Sequence, residues 1–151
     1  MLKKNGFNAF IILVTGLYLL FALYGLHFYP IDETRYMSVA WDMWLRGDYL
    51  VPHLNGLPYS HKPPLLFWIS STNMGLFGVC NFAYKIGTFL MLLLSLLAIY
   101  KLSLRYYNQE IAKNATLIFA SCQAFFQMTN DVRTDGLLTS SVIISIWLLV
   151  E

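Results

Sequence analysis

The sequence predicts an all-α integral membrane protein, in which transmembrane helices are accompanied by amphipathic helices at the membrane surface. Hydrophobic residues make up 58% of the 151 residues, charged residues only 12%, and the mean hydropathy is +0.57. A soluble domain of this length cannot bury so much apolar surface. The net charge of +2 is too small to indicate a nucleic-acid partner. The one long stretch that is not apolar covers residues 30–64.

The first apolar segment, residues 7–28, is long enough to cross a bilayer, since a helix over it would extend about 33 Å. Lys3 and Lys4 precede it, which places the N-terminus in the cytoplasm. A cleaved signal peptide is the alternative. Its apolar region would be unusually long and no Ala-x-Ala pattern occurs before Pro30, so we favour an uncleaved anchor.

An amphipathic helix is predicted for residues 32–47. Apolar side chains recur there at helical spacing, namely Tyr36, Val39, Ala40, Met43 and Trp44. Asp32 is placed to cap the helix at its beginning and Gly47 to end it. We expect this helix to lie on the membrane surface. Residues 48–62 lack periodicity and are rich in Pro, Gly and Asn, which predicts an ordered irregular loop.

Residues 64–79 are apolar but interrupted by Ser, Thr, Asn and Gly, so they could cross the membrane or lie at its surface. If they cross it, the next loop, with Lys101, Arg105 and Lys113, falls outside the cell. If they lie at the surface, these cations fall in the cytoplasm, as the positive-inside rule prefers. A helix of about 24 Å is also short for a crossing. We therefore predict a surface segment.

The remaining spans are then expected at residues 83–104, 111–128 and 136–151. Lys85 is expected to extend its amine to the outer surface, and residues 29–82 form the outer loop of the domain. Residues 130–135 form a second outer turn. The last span would be only about 23 Å long, so we expect the 151 residues to be part of a longer chain. Cys80 and Cys122 are predicted at different membrane depths, which disfavours a disulfide.

This topology brings many of the charged residues to one side of the membrane. They are Asp32, Glu33, Arg35, His61, Lys62, Asp131, Arg133 and Asp135. Carboxylates at the mouth of a helix bundle can act as a base or bind a cation. Lysine and arginine beside them suit an anionic group such as a phosphate. Surface helices next to such a site would let a lipid-linked substrate approach from the membrane.

Simpler interpretations exist for each of these residues. Asp32 could merely cap its helix, and Asp135 could cap the fourth span. Lys62 could lie among the lipid headgroups. His53 and His61 could be ordinary loop residues, because no paired spacing typical of metal ligands accompanies them. The tryptophans are best explained as anchors at the membrane interface.

The outer loop also carries an ordered set of motifs. The segment DETRY at residues 32–36 is followed by Gly47-Asp48, by PHLNG at residues 52–56, by Tyr59 and by KPP at residues 62–64. In order, spacing and position after a first apolar segment, these motifs resemble the ArnT-like and dolichyl-phosphate-mannose-protein mannosyltransferase-like enzymes (glycosyltransferase families 39 and 83) of the GT-C fold. The resemblance covers residues 4–151, approximately the whole chain.

The resemblance implies an inverting glycosyltransferase in the inner (plasma) membrane, with its active site on the extracytoplasmic, periplasmic side. Such an enzyme moves a sugar from a polyprenyl-phosphate donor to lipid A, a protein or another glycan. The family's catalytic acids fall on Asp32, its neighbour Glu33, and Asp135. The family's lysine, expected near the donor phosphate, falls on Lys62. The other substrate-binding candidates are Arg35, Tyr59 and His61.

One departure from the family pattern concerns the position before the lysine. ArnT-like enzymes have an acid there that is proposed as a metal ligand, whereas this chain has His61. A divalent metal is therefore possible, but the sequence assigns no metal ligand. The alternative function is a small non-enzymatic four-span membrane protein, or an inactive remnant of such an enzyme. We expect the 151 residues alone to be inactive, without the further spans and soluble C-terminal domain of the family.

Overall fold

The computed structural model describes residues 16–17, 20, 32–130 and 132–151, except for the side chain of residue 130. Most of the predicted first span, together with Asp131, lies outside the described residues. From residue 32 onwards the described chain forms helices and one small hairpin. The elements are α1 (Asp32–Arg46), β1 (His53–Leu54), β2 (Leu57–Pro58), α2 (Leu65–Phe77), α3 (Asn81–Tyr106), α4 (Gln109–Ser121), α5 (Gln123–Asn130) and α6 (Thr134–Val150).

Helix α1 confirms the predicted amphipathic helix. Its buried face includes Val39, Ala40 and Met43, which pack in the main hydrophobic core of the described residues with side chains of α2 and α3. Gly47 ends the helix with a φ of 67°, a left-handed conformation that glycine adopts at no steric cost. Asp32, which was predicted to cap the helix, is instead its first helical residue. Acids in this first turn are favoured by the helix dipole.

The loop after α1 is ordered, as predicted, but it is not wholly irregular. Strands β1 and β2 pair antiparallel, with Leu54 opposite Leu57. Asn55 and Gly56 form the turn between them with φ values of 53° and 83°, which is the geometry that Asn-Gly favours in a two-residue hairpin. The Asn55-Gly56 dipeptide could have predicted the hairpin from the sequence. The side chain of Trp68 holds the loop on α2, because its Nε1 donates to the Tyr49 carbonyl at 2.6 Å.

Helix α2 is the short apolar segment that we predicted to lie at the membrane surface, and its 13 residues would extend only about 20 Å. It packs between α1 and α3. The contact with α3 is close at Gly87, where an added Cβ would overlap Cγ2 of Ile69 and lie 2.8 Å from Nδ2 of Asn73. A small residue at such a crossing lets two helix backbones approach each other.

Helix α3 contains the predicted second span and extends it at both ends. With 26 residues it is the one helix among the described residues that is long and apolar enough to cross a membrane by itself. It packs against α2, α4 and α6. The residues of the predicted third span, 111–128, do not form one continuous helix. They are divided between α4 and α5 at Cys122, whose ψ of 132° leaves the helical region.

Helix α6 corresponds to the predicted fourth segment and begins at Thr134. Arg133 occupies the cap position, so the alternative in which Asp135 caps this helix is wrong. Asp135 instead lies in the first turn, where a negative charge is again favoured by the helix dipole. Helices α5 and α6 pass the length and composition test for a span only when they are taken together as one bent pair.

Candidate active site

The described part of the candidate site is centred on the phenol of Tyr36, on the first turns of α1. Tyr36 is only 5% exposed. Burial raises the pKa of Tyr36 above its ordinary value of 10.0, the charge of Asp32 raises it further, and the charge of Arg35 opposes them. The charges of Asp135 and Arg133 act on the same phenol, the first raising and the second lowering its pKa. The first turn of α1 lies near the segment that leads into α6, because the backbone N–H of Val132 donates to Oε1 of Glu33 at 3.3 Å. Tyr36 therefore feels charges from both helices and remains protonated at neutral pH.

Asp32 and Arg35 form a partly exposed ion pair beside Tyr36. The Nη1 of Arg35 lies 3.8 Å from Oδ1 of Asp32, and the two side chains are 39% and 45% exposed. Helical spacing brings them together, since residues three and four apart share one face. A pair this exposed adds little to stability. Its carboxylate and guanidinium are both accessible to a substrate.

Aromatic side chains connect the predicted substrate-binding loop with this centre. The ring of Tyr36 lies 6.1 Å from that of Phe67 on α2, and the ring of Tyr59 lies 5.9 Å from Phe67 on another side. His61 stacks on Tyr59 at a centroid distance of 5.2 Å. Tyr59 is buried, whereas His61 is exposed and the neighbouring Lys62 is half-buried. The series of rings fixes the position of the loop that carries Lys62 relative to α1.

A small cavity lies at the other side of the site, between α5 and α6. It measures about 130 Å³, and its lining includes Gln127, Arg133 and Asp135. A cation, an anion and an amide around one cavity can bind a polar group of a substrate. A second cavity of about 190 Å³ is lined by residues from the ends of α3 and α6, including Lys101 and Trp147. None of the predicted site residues lines this second cavity.

Glu33 differs from the other predicted catalytic residues because its side chain is fully buried. Its Oε1 lies 3.4 Å from the Nζ of Lys85, which is itself only 4% exposed. The same oxygen accepts a hydrogen bond from the backbone N–H of Val132 at 3.3 Å. The prediction that Lys85 reaches the outer surface is therefore wrong. A buried carboxylate attracts the ammonium inward, because neither charge can be left unpaired at low dielectric.

The described residues do not by themselves form a divalent-metal site. They contain no group of three or more His, Cys, Asp or Glu side chains placed to hold an ion. His61, which stands where the related enzymes have an acid, stacks on Tyr59.

Comparison with models of known protein families assigns the chain to a family. The family model described as dolichyl-phosphate-mannose-protein mannosyltransferase matches residues 61–151. The chain belongs to this family. The match includes the loop at His61 and Lys62 and every helix from α2 to α6. The family is therefore assigned on the part of the chain that follows the DETRY motif, independently of that motif.

Individual curated relatives extend the match towards the N-terminus. A protein of Serratia proteamaculans, named undecaprenyl phosphate-alpha-4-amino-4-deoxy-L-arabinose arabinosyl transferase, is 33% identical over 96% of this chain and 25% of its own length. A protein of Proteus mirabilis with the same name, numbered 2, is 33% identical over 78% of this chain and 22% of its own length. The chain thus spans about a quarter of the length of these curated relatives.

The fold of the chain is that of a solved member of this group. The crystal structure of ArnT from Cupriavidus metallidurans in the apo state matches with a TM-score of 0.80 and 21% identity, over 90% of this chain and 26% of that one. This match confirms the predicted all-α GT-C membrane fold. The chain is a membrane protein of the mannosyltransferase family.

Two residues of the site were assigned other roles from the sequence. Tyr36 was placed on the apolar face of its helix, and Lys85 was expected to extend its amine to the outer surface. The spacing of Tyr36, four residues after Asp32 on the same helix, could have indicated a shared face. Nothing local could have indicated the partner of Lys85, because Glu33 lies on another helix, far away along the chain.

Proposed function

We propose that this chain is part of a membrane glycosyltransferase that moves a sugar from a polyprenyl-phosphate donor to an acceptor outside the cytoplasm. The observation that carries the proposal is the accessible Asp32–Arg35 pair on the first turn of α1, together with Arg133 and Asp135 at the cavity beside the start of α6. The names of the relatives support an undecaprenyl-phosphate-linked sugar as the donor. The acceptor is an extracytoplasmic hydroxyl or phosphate on lipid A, a protein or another glycan.

The reaction is a displacement at the anomeric carbon of the sugar. An acceptor oxygen forms a bond to that carbon while the bond from the carbon to the phosphate oxygen breaks, and the electron pair leaves with the polyprenyl phosphate. A single displacement of this kind inverts the configuration. When the acceptor is a hydroxyl, its proton goes to a base, and the accessible carboxylate of Asp32 is suited to receive it. An acceptor phosphate is already anionic and needs only positioning.

The cations of the site are suited to the donor phosphate. Lys62 is half-buried on a loop that the Tyr59 ring holds against α2, and a compact ammonium can follow the phosphate as it gains charge. Arg35 can donate to the same group through its planar guanidinium. His61 and Tyr59 shape the loop beside it. Asp135, at the cavity between α5 and α6, is the second carboxylate available for the acceptor.

The active site in this proposal faces the periplasm, at the outer surface of the inner (plasma) membrane. The exposed tryptophans Trp41, Trp44 and Trp68 on α1 and α2 are suited to the membrane interface. They lie on the same two helices as Asp32 and Phe67. A donor with its lipid tail in the bilayer can therefore reach the site from the side.

Transfer by the complete membrane protein tests the proposal. The purified protein in undecaprenyl-phosphate-sugar proteoliposomes should glycosylate lipid A or a peptide acceptor, detected by mass spectrometry. Lys62→Ala should lower transfer strongly at unchanged protein abundance, because the leaving phosphate loses its cation. Lys101→Ala is the matched control, because Lys101 is an exposed lysine near the C-terminal end of α3. This variant should transfer sugar normally. An absence of turnover by the wild-type protein with every donor and acceptor would favour the non-enzymatic alternative. Normal turnover by Lys62→Ala would favour the interpretation that Lys62 lies among the lipid headgroups.

A further inference from the structure

The side chain and main chain of Glu33 connect three parts of the chain that are distant in sequence. Its carboxylate pairs with Lys85 on α3 and accepts from the backbone N–H of Val132, at 3.4 and 3.3 Å. Its main-chain carbonyl accepts from the hydroxyl of Tyr84 at 3.1 Å. The beginning of α1 is thus attached to the beginning of α3 and to the residue that precedes Arg133.

These attachments are made by residues that adjoin the candidate site in the chain. Asp32 immediately precedes Glu33, and Arg133 immediately follows Val132. Both Asp32 and Arg133 act electrostatically on Tyr36. A displacement of the Glu33 carboxylate relative to Val132 would therefore change the separation of the two chain segments that supply the charges of the site.

The surroundings of Glu33 are unsuited to a base that takes a proton from a substrate. Its side chain is 0% exposed, so an acceptor hydroxyl has no direct access to it. Its Oε1 is already occupied by the Lys85 ammonium and by the backbone N–H of Val132. Asp32, by contrast, is 45% exposed, and its 3.8 Å pair with Arg35 leaves the carboxylate accessible.

We propose that the buried Glu33–Lys85 pair is a positioning device that holds the first turn of α1 against the segment before α6, and so fixes Asp32 and Asp135 on either side of the site. The proposal rests on the proposed transferase function for its catalytic consequence. Its structural content, a fixed separation of α1 and α6, stands by itself. Glu33 is then a positioning residue, and Asp32 and Asp135 are the carboxylates that meet the substrate.

Removing one charge and removing both have different consequences. Lys85→Met removes the ammonium that lies 3.4 Å from the Glu33 carboxylate, and Glu33→Gln removes the negative charge beside Lys85, so each single variant unbalances the buried pair. The double variant Glu33→Gln with Lys85→Met removes both charges of the pair together. The glutamine amide oxygen can still accept from the Val132 N–H, and the methionine occupies the space of the lysine stem.

The transfer rate of the complete protein tests this assignment. Each single variant should lower kcat on the order of a hundredfold, with KM for the donor little changed, because a displacement of about 1 Å at a reacting group costs that much. The double variant should recover most of this loss. A base at Glu33 predicts the opposite, because a glutamine cannot accept the proton and the double variant would be as inactive as Glu33→Gln. Lys101→Met, on the exposed surface of the same helix, is the control and should be unchanged.

A distance measurement separates the positioning device from the transferase function. Spin labels at Trp41 on α1 and Leu138 on α6, both exposed, are introduced after Cys80 and Cys122 have been replaced. Double electron–electron resonance measures the distance between the two labels. Its distribution should be narrow in the wild type and the double variant, and broader or shifted in Lys85→Met. If all of these distributions coincide, the positioning device is refuted, whatever the activity. If they differ as expected and the wild-type protein transfers no sugar, the proposed function fails and the device remains.

Discussion

Substituting alanine for Gly87 tests the close contact between α2 and α3 on which the position of the Lys62 loop depends. The added Cβ would overlap Cγ2 of Ile69 and lie 2.8 Å from Nδ2 of Asn73. Ile69 cannot move its Cγ2 away without a change of rotamer, because both of its branches start at Cβ, which itself would be only 3.7 Å from the new atom. The helices must therefore separate or Ile69 must repack.

The expected magnitude is the difference between two opposing effects. Overpacking of a tight contact costs about 1–3 kcal/mol, whereas replacing a glycine by alanine within a helix contributes up to about 1 kcal/mol. Because the new Cβ would overlap Cγ2 of Ile69, the overpacking cost should be about 2–3 kcal/mol, and subtracting about 1 kcal/mol leaves a net loss of about 1–2 kcal/mol. Thermal unfolding of the purified protein in detergent measures the effect as a lowered midpoint.

Two further variants make the Gly87 result decisive. Gly16→Ala is the control, because its added Cβ would meet no atom within 4 Å in the described part of the chain, and its midpoint should be unchanged or higher. Ile69→Ala removes the overlapping methyl, so the double variant Ile69→Ala with Gly87→Ala should be more stable than the sum of the two single effects predicts. A Gly87→Ala protein as stable as the wild type, or strict additivity in the cycle, would refute the packing argument.

The remaining predictions concern topology and the phenol of the site. In a protein from which Cys80 and Cys122 have been removed, a cysteine at Asn55 should react with an impermeant reagent added outside and a cysteine at Tyr107 should not, and the reverse pattern would contradict the shared outer location of the site. NMR titration of ζ-¹³C-labelled tyrosine, with the signal of Tyr36 assigned by Tyr36→Phe, should give a pKa above the ordinary value of 10.0. Because the raised pKa means that the folded protein prefers the protonated phenol, the stability that it contributes should be lost as the pH rises through the raised pKa. A pKa of Tyr36 at or below its ordinary value would show that the phenol is not enclosed as described.

The sequence predicted those parts of the fold that depend on local pattern. The apolar periodicity over Tyr36, Val39 and Met43 was sufficient for α1, and the long apolar run was sufficient for α3. The hairpin at His53–Leu54 and Leu57–Pro58 was missed although Asn55-Gly56 indicates it, because the strands are too short to show alternation. The break at Cys122 was missed because neither Gly nor Pro accompanies it, and composition alone does not distinguish one helix from two.

The sequence predicted which residues belong to the candidate site better than it predicted how they are arranged. The charge pattern and the family motif identified Asp32, Lys62 and Asp135, and the charges of Asp32 and Asp135 both raise the pKa of Tyr36. The different surroundings of neighbouring acids were not predictable. Asp32 is accessible and Glu33 is enclosed because Lys85 and Val132 reach Glu33 from distant parts of the chain, and only the tertiary structure decides that.

The conversion of Asp32 to asparagine tests the central claim most directly. Asparagine resembles aspartate in shape and caps a helix about equally well, so a purely structural Asp32 would tolerate the change. It cannot accept a proton as a base does. With a hydroxyl acceptor, the complete protein carrying Asp32→Asn should lose transfer on the order of a hundredfold or more while its abundance and thermal midpoint stay normal. Normal transfer by this variant at normal abundance would contradict the account and move the catalytic role to Asp135.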